Sequence, residues 1–265
     1  MGHSLTLLLG AMRLQADILM QWLEDGTGVM VAGKRFVFGR IAGHPVIVAA
    51  CGVGKVNAAM VTAMALTHFA PTAVICAGVA GSLYPDAVPG DVVIAERVAQ
   101  YDLGRRTAEG FQVWQTWDPL IFEQNPLFFP ADAALLHAAR TVAGQVPLET
   151  MPEWTGNRPQ VRLGTMITGD TLVTSAAHLT ELREQFAADA CEVEGGAIAH
   201  VCWQLGVGCL IVRGISDVRG HIPTWRGPAG NIQACAELAA CNAARVVVAL
   251  LESTLPQVSV ACQVS

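Results

Sequence analysis

The chain has 265 residues, 52% of them apolar and 14% charged, and a formal net charge of −6. That composition excludes a disordered chain, and the acidic balance argues against a nucleic-acid binder, which needs a basic face. The length suits one large α/β domain or two small ones.

Leu5–Leu9 is a short apolar run closed by Gly10, and helical spacing follows through Leu14, Ile18, Leu19 and Trp22. Phe36–Ile41 and Pro45–Ala50 read as strands around an Ala-Gly-His turn. Lys55–Phe69 is helical and stops before Pro71, where a helix tends to end. Thr72–Ala77 is β-rich and opens into GVAGS at 78–82, a glycine turn or a close backbone approach to a ligand. Asp91–Val98 is a further strand, and 102–130 reads as a long irregular aromatic loop. Ala131–Ala143 is helical, Val161–Thr168 a strand and Ala176–Phe186 a helix. Cys191–Glu194 is short and extended, Gly195–Leu205 helical, Gly208–Arg213 a strand and Ala229–Leu251 a long helix.

Strands alternating with helices predict a largely parallel or mixed sheet covered on both faces. No repeat or linker interrupts it, so residues 1–265 are read as one domain. Ligands bind such sheets beyond the carboxyl ends of the strands, and the unusual polar residues lie at those ends. The eight cysteines contain no C-x-x-C and sit among apolar residues, which fits a reducing cytoplasm better than a disulfide framework. No apolar run is expected to reach the ~18–20 residues of a membrane span.

GVGK at 52–55 is no phosphate loop, since Ala49 stands where the first glycine belongs and Val56 where Ser or Thr does. The histidines have no metal-ligand spacing, so neither a metal nor a cofactor is expected, and His200 reads as a core or edge histidine. There is no G-x-S-x-G elbow. Carboxylates remain. Glu192 and Glu194 flank Val193 and would point the same way in an extended segment, unless Gly195 and Gly196 break it; a helix N-terminus attracting acids is the plainer reading. Asp170 in TGDT reads as a turn or capping residue. Asp217 in VRGISD is either a salt-bridge partner of Arg213 or a group with chemistry to do.

Taken together, LLLGAM, CGVGKVNA, CAGVAGSL, PGDVVIAE, TGDTL, CEVEGGAIAHVC and IVRGISD resemble the purine nucleoside phosphorylase superfamily, and most of all its hydrolytic branch, the 5′-methylthioadenosine/S-adenosylhomocysteine nucleosidases. The match runs from about Leu5 to the C-terminal helix, with 102–160 divergent. The resemblance implies a three-layer α/β/α sandwich with a mixed central sheet, a homodimer, and a small nucleoside substrate. It implies that Asp217 protonates purine N7, that Glu194 holds the ribose hydroxyls, and that Arg213 lies near the attacking water. It places Val193 against the ribose, Leu172 and Val173 around the base, and Met12 and Val53 near the 5′ substituent. Glu192, Ser216 and the turn residues Val79, Ala80 and Gly81 complete the expected substrate contacts.

The chemistry is coherent. Breaking an N-glycosidic bond grows positive charge on the sugar and negative charge on the purine. An acid at the purine and a carboxylate beside the ribose answer both, and burial would raise the acid's pKa. The family's catalytic base is a glutamate shortly after G-A-M, and here Gln15 stands at that position. An amide can hold water but cannot take its proton. Val79 likewise replaces a family serine. Gln15 is either a natural divergence or a deliberate Glu→Gln exchange that keeps shape and removes the base; the retention of the rest of the site favours the second. A phosphorylase and a nucleoside sensor without turnover are the competing readings, and the first lacks an arginine before CAGVAGS.

Overall fold

The structure, a computed structural model, describes residues 5–151, 157–218 and 232–254. Its frame is a mixed ten-stranded sheet. Strand β1 (Thr6–Gly10) lies at its centre, parallel to β4 (His44–Ala50) on one side and to β5 (Ala73–Ser82) on the other. Beyond β4 come β3 (Lys34–Ile41) and the edge strand β2 (Glu24–Val31), both antiparallel. Beyond β5 come β12 (Gly208–Val218), β6 (Val92–Gln100), β10 (Val161–Thr168) and β11 (Ala190–Glu192). Strand β11 also pairs antiparallel with the end of β5, curling the sheet there, and β9 (Phe128–Pro130) pairs with β6.

Central strands read as continuous apolar runs because both faces are covered. Leu7 and Leu9 of β1 enter one apolar layer with α2 (Lys55–Phe69) and α5 (Gly195–Gln204). Leu8 enters the opposite layer with α1 (Arg13–Met20), α3 (Ala133–Val142) and α6 (Ile232–Thr254). A third, smaller cluster forms under α4 (Ala176–Phe186). The expected mixed sheet between helical layers is therefore what the chain forms.

Several expectations need correction. GVAGS is no turn: Gly78–Ser82 continue β5 and pair with Arg213–Val218 of a longer β12. The span 102–130 is not irregular, since it holds the hairpin β7 (Gly104–Thr107) and β8 (Gly110–Val113), a bridge between Trp117 and Gln124, and β9. Strand β2 was not expected at all. A membrane-span-sized apolar window does exist, at Gln233–Ser253 in α6, and 61% of it is buried inside the protein. The first residues expected in that helix, 229–231, and Cys262 lie outside the described residues.

Candidate functional site

The carboxyl ends of β1, β4, β5, β11 and β12 converge, and α1 begins there. Gly10 permits the tight passage from β1 into α1: a Cβ would stand 2.6 Å from the Ala16 amide nitrogen. This turn buries Gln15 in the first turn of α1. Its Oε1 accepts from the amides of Ala11 (2.7 Å) and Met12 (3.2 Å). The side-chain oxygen thus caps the helix, satisfying amides that have no intrahelical partner.

Arg213 is fully buried, and such a charge must be paired to be tolerated. Its Nε and Nη2 donate to Glu192 Oε2 at 3.1 and 2.5 Å, Nη2 reaches Glu194 Oε2 at 3.4 Å, and Nη1 donates to Cys76 Sγ at 3.3 Å. Gly78 makes room: a Cβ there would lie 2.3 Å from Nη1 and 3.0 Å from Gln15 Oε1. Arg213 and Gln15 therefore meet over one bare stretch of β5.

Glu192 is buried and densely bound. Besides Arg213 it accepts from the amides of Glu194 (3.0 Å) and Gly195 (2.7 Å) and from the Thr168 hydroxyl, which itself accepts from Gly196 N at 2.7 Å. Four of these five donors fall on Oε2 and one, the Thr168 hydroxyl, on Oε1. Through Oε2, Glu192 anchors Arg213 and the start of α5. The plain reading of an acid at a helix N-terminus holds for it, yet both glutamates also converge on one guanidinium. The glycine pair allows this, since Cβ atoms at Gly195 and Gly196 would press on Ile211 and Glu192 and on Thr168.

Glu194 is buried and less fully bound. Gly54 N donates to its Oε1 at 3.0 Å, and Arg213 holds Oε2. Burial pushes its pKa up, against the pull of Arg213. Asp217 does not pair with Arg213. A β-bulge between Ile215 and Asp217 sets Ile215 opposite Ala80 and Asp217 opposite Gly81. The extra residue, Ser216, flips the side-chain alternation, so Asp217 and Arg213 lie on opposite faces of β12. Gly81 accommodates the carboxylate, because a Cβ there would be 2.7 Å from Oδ1. Asp217 has no hydrogen-bond or ion-pair partner among the described residues, and burial alone raises its pKa from 3.8 to about 6.

The remaining expected contacts divide. Met12, Val53 and Leu172 are exposed apolar side chains, open to a ligand. Val173 instead packs on the cluster beneath α4, and Val79 on the layer beneath α6. Ala80 is in the opposite core layer, Val193 is half-buried, and Ser216 Oγ donates to Ala80 O at 3.4 Å. His200 stacks on Phe129 and bonds Gln100, Thr116 and Asn125, which makes it an anchor for the 114–125 segment.

Sequence reasoning passed over one group. Lys55 Nζ meets Asp102 Oδ1 at 2.5 Å and Asp170 Oδ2 at 3.8 Å, while Asp170 accepts from Lys55 N at 2.9 Å and its own amide donates to Asp102 at 2.7 Å. The signal was GVGK itself, set aside once the phosphate loop failed. Among the described residues no cluster of three His, Cys, Asp or Glu could hold a metal ion.

The arrangement supplies a protonatable acid, a buried carboxylate–guanidinium centre and a neutral amide. The phosphorylase superfamily family description matches residues 6–252. The chain is 33% identical over 246 residues to the 5′-methylthioadenosine/S-adenosylhomocysteine nucleosidase of Tolumonas auensis, covering 92% of this chain and 97% of that one. It is also 33% identical to the aminodeoxyfutalosine nucleosidase of Campylobacter jejuni, over 81% of this chain and 86% of the relative. The Neisseria meningitidis 5′-methylthioadenosine/S-adenosylhomocysteine nucleosidase, solved with methylthio-immucillin-A, superposes with a TM-score of 0.76 at 29% identity, over 94% of this chain and 99% of that chain. The chain belongs to the phosphorylase superfamily and is homologous to its nucleosidases.

Proposed function

We propose that this chain binds a 5′-substituted adenosine of the methylthioadenosine or S-adenosylhomocysteine type and hydrolyses its N-glycosidic bond slowly, releasing adenine. The observation that carries the reading is Asp217: a carboxyl group without a partner among the described residues, its pKa raised to about 6 by burial, at a strand end. Perturbed acids in such places are where proton transfer is done.

In this reaction the bond between C1′ and the purine nitrogen breaks, and its electron pair enters the purine. Asp217 delivers a proton to N7 of the leaving base. Glu194 accepts hydrogen bonds from the ribose hydroxyls, and its charge opposes the positive charge growing on the sugar. Water bonds to C1′, and its proton has to leave. Gln15 Oε1 already accepts two amides and the other atom is an NH2 group, so neither takes that proton. The proton goes to solvent, and turnover is slow.

The same observation supports tight retention of ligand, as in a sensor. Phosphorolysis is less well supported, because four of the five N–H donors of Arg213 are already engaged by Glu192, Glu194 and Cys76. The exposed apolar side chains of Val53, just before α2, and of Val56 and Met60 on it, together with the apolar segment around Trp117, Leu120 and Phe122, support a homodimer. The test is mass spectrometry of the protein incubated with a panel of 5′-substituted adenosines. Retained nucleoside with a slow trickle of adenine is expected. No retained ligand and no adenine from any of them would refute the reading, and a sugar 1-phosphate appearing only with phosphate would replace it.

A further inference from the structure

The motif GVGK has no place in the chemistry above, yet its atoms are among the best connected near the site. Gly54 stands at φ +87, a conformation that favours glycine, and caps the start of α2. Its amide is aimed out of the helix onto Glu194 Oε1 at 3.0 Å. The next amide, of Lys55, is held by Asp170 Oδ1 at 2.9 Å. The Lys55 ammonium reaches across to Asp102 and Asp170, and Asp102 in turn takes the Asp170 amide at 2.7 Å. The Lys55 side chain is only 17% exposed and that of Asp102 21%, so this is not a freely solvated surface pair.

Three separate pieces of chain are tied by these contacts: the start of α2, the end of β6 at Asp102, and the turn after β10 at Asp170. The tie converges on one atom that meets the site, the Gly54 amide nitrogen. Moving it would release one of the two oxygens of Glu194, leaving that carboxylate on Arg213 alone. A Cβ on Gly54 would stand 3.2 Å from Asp170 Oδ1, so the glycine and the aspartate are fitted to each other.

We infer that Lys55, Asp102 and Asp170 form a clasp that positions Glu194, through the Gly54 amide, to receive the ribose hydroxyls. They are positioning residues and touch no substrate. The inference rests on the nucleoside reading above and adds to it what sets the hydroxyl contact. Outer partners that orient a liganding group are commonly worth roughly tenfold or more in affinity, as known for metal ligands.

The test pairs protein substitutions with removal of the substrate's hydroxyls. Calorimetry would measure binding of 5′-methylthioadenosine and of its 2′,3′-dideoxy analogue to the unsubstituted chain, to Lys55→Met and to Asp102→Asn, each checked for folding by circular dichroism. Both substitutions should weaken binding of the hydroxylated nucleoside roughly tenfold, with the dideoxy analogue changed less than about twofold. Lys55→Arg, which keeps the charge, should recover most of the loss. If Lys55→Met does not fold, Asp102→Asn carries the same comparison. Equal losses for both nucleosides would make the clasp merely structural and overturn the inference, as would no loss for either. If the unsubstituted chain binds neither nucleoside, the nucleoside reading itself falls and the inference falls with it.

Discussion

Asp217 and Glu194 are both carboxyl groups raised by burial, but Glu194 has a guanidinium and a backbone amide on it whereas Asp217 has neither among the described residues. That difference separates their roles. On the proposed function, Glu194 is held to bind and Asp217 is left to give up a proton. Asp217→Asn should cut adenine release roughly 10²–10⁴-fold, while nucleoside affinity falls far less. Glu194→Ala should damage both, because its contacts exist before and during bond cleavage. The pH dependence on the alkaline side follows from the raised acid: kcat/KM should fall as pH rises through about 6, where Asp217 loses its proton. Stability moves in the same direction. The folded chain binds this proton more tightly than the unfolded one, so stability declines between 3.8 and about 6 and the loss persists above. That rise corresponds to about 3 kcal/mol, so Asp217→Asn should raise Tm at pH 7.5 and leave it unchanged at pH 3.5. A lower Tm at pH 7.5 would mean that the carboxylate has a stabilising partner. Asp217 was legible in the sequence because a charge following an apolar run demands a reason. Its independence from Arg213 was not, because a one-residue bulge decides it, and nothing in VRGISD announces a bulge.

At the scale of elements, a glycine that the sequence reading left outside its strand lets two layers touch. Gly214 in β12 faces α6 so closely that a Cβ would lie 1.9 Å from the Ala239 carbonyl oxygen. Gly214→Ala should cost roughly 2–4 kcal/mol, read as a lower urea midpoint; an unchanged midpoint would show that α6 can shift away freely. The same logic explains why β5 and β12 were read too short: their glycines serve close packing in mid-sheet, and glycine read alone signals a turn. Elements with ordinary helical or strand composition were legible to the residue, as with α2, α4 and β10. Strand β2 was not, since DGTG is turn chemistry and the strand is an exposed edge with no buried face to impose alternation. Likewise the β7–β8 hairpin is exposed over most of its length, so no core face patterns it.

Over the whole molecule, the sheet brings strand ends far apart in sequence to one place, and their apolar surroundings extend onto the surface. Leu120 and Phe122 stand out on a turn pinned by the Asp118 carboxylate, which accepts from the amides of Leu120 and Ile121. Phe122 is itself held at φ 57, a strained conformation for a bulky residue. The homodimer reading therefore expects sedimentation of a dimer at micromolar concentration, and dissociation on Leu120→Asp combined with Met60→Asp. A monomer in the unsubstituted chain would contradict it.

The central claim is that the site is complete except for a base. Gln15→Glu tests it most directly. The new carboxylate can keep one oxygen on the Ala11 and Met12 amides and offer the other to water, in place of the NH2 group. General-base catalysis is typically worth roughly 10²–10⁴-fold. The account predicts that adenine release from a 5′-substituted adenosine rises by that factor in Gln15→Glu over the unsubstituted chain. Adenine release that stays at background in Gln15→Glu, while the nucleoside still binds, would contradict it.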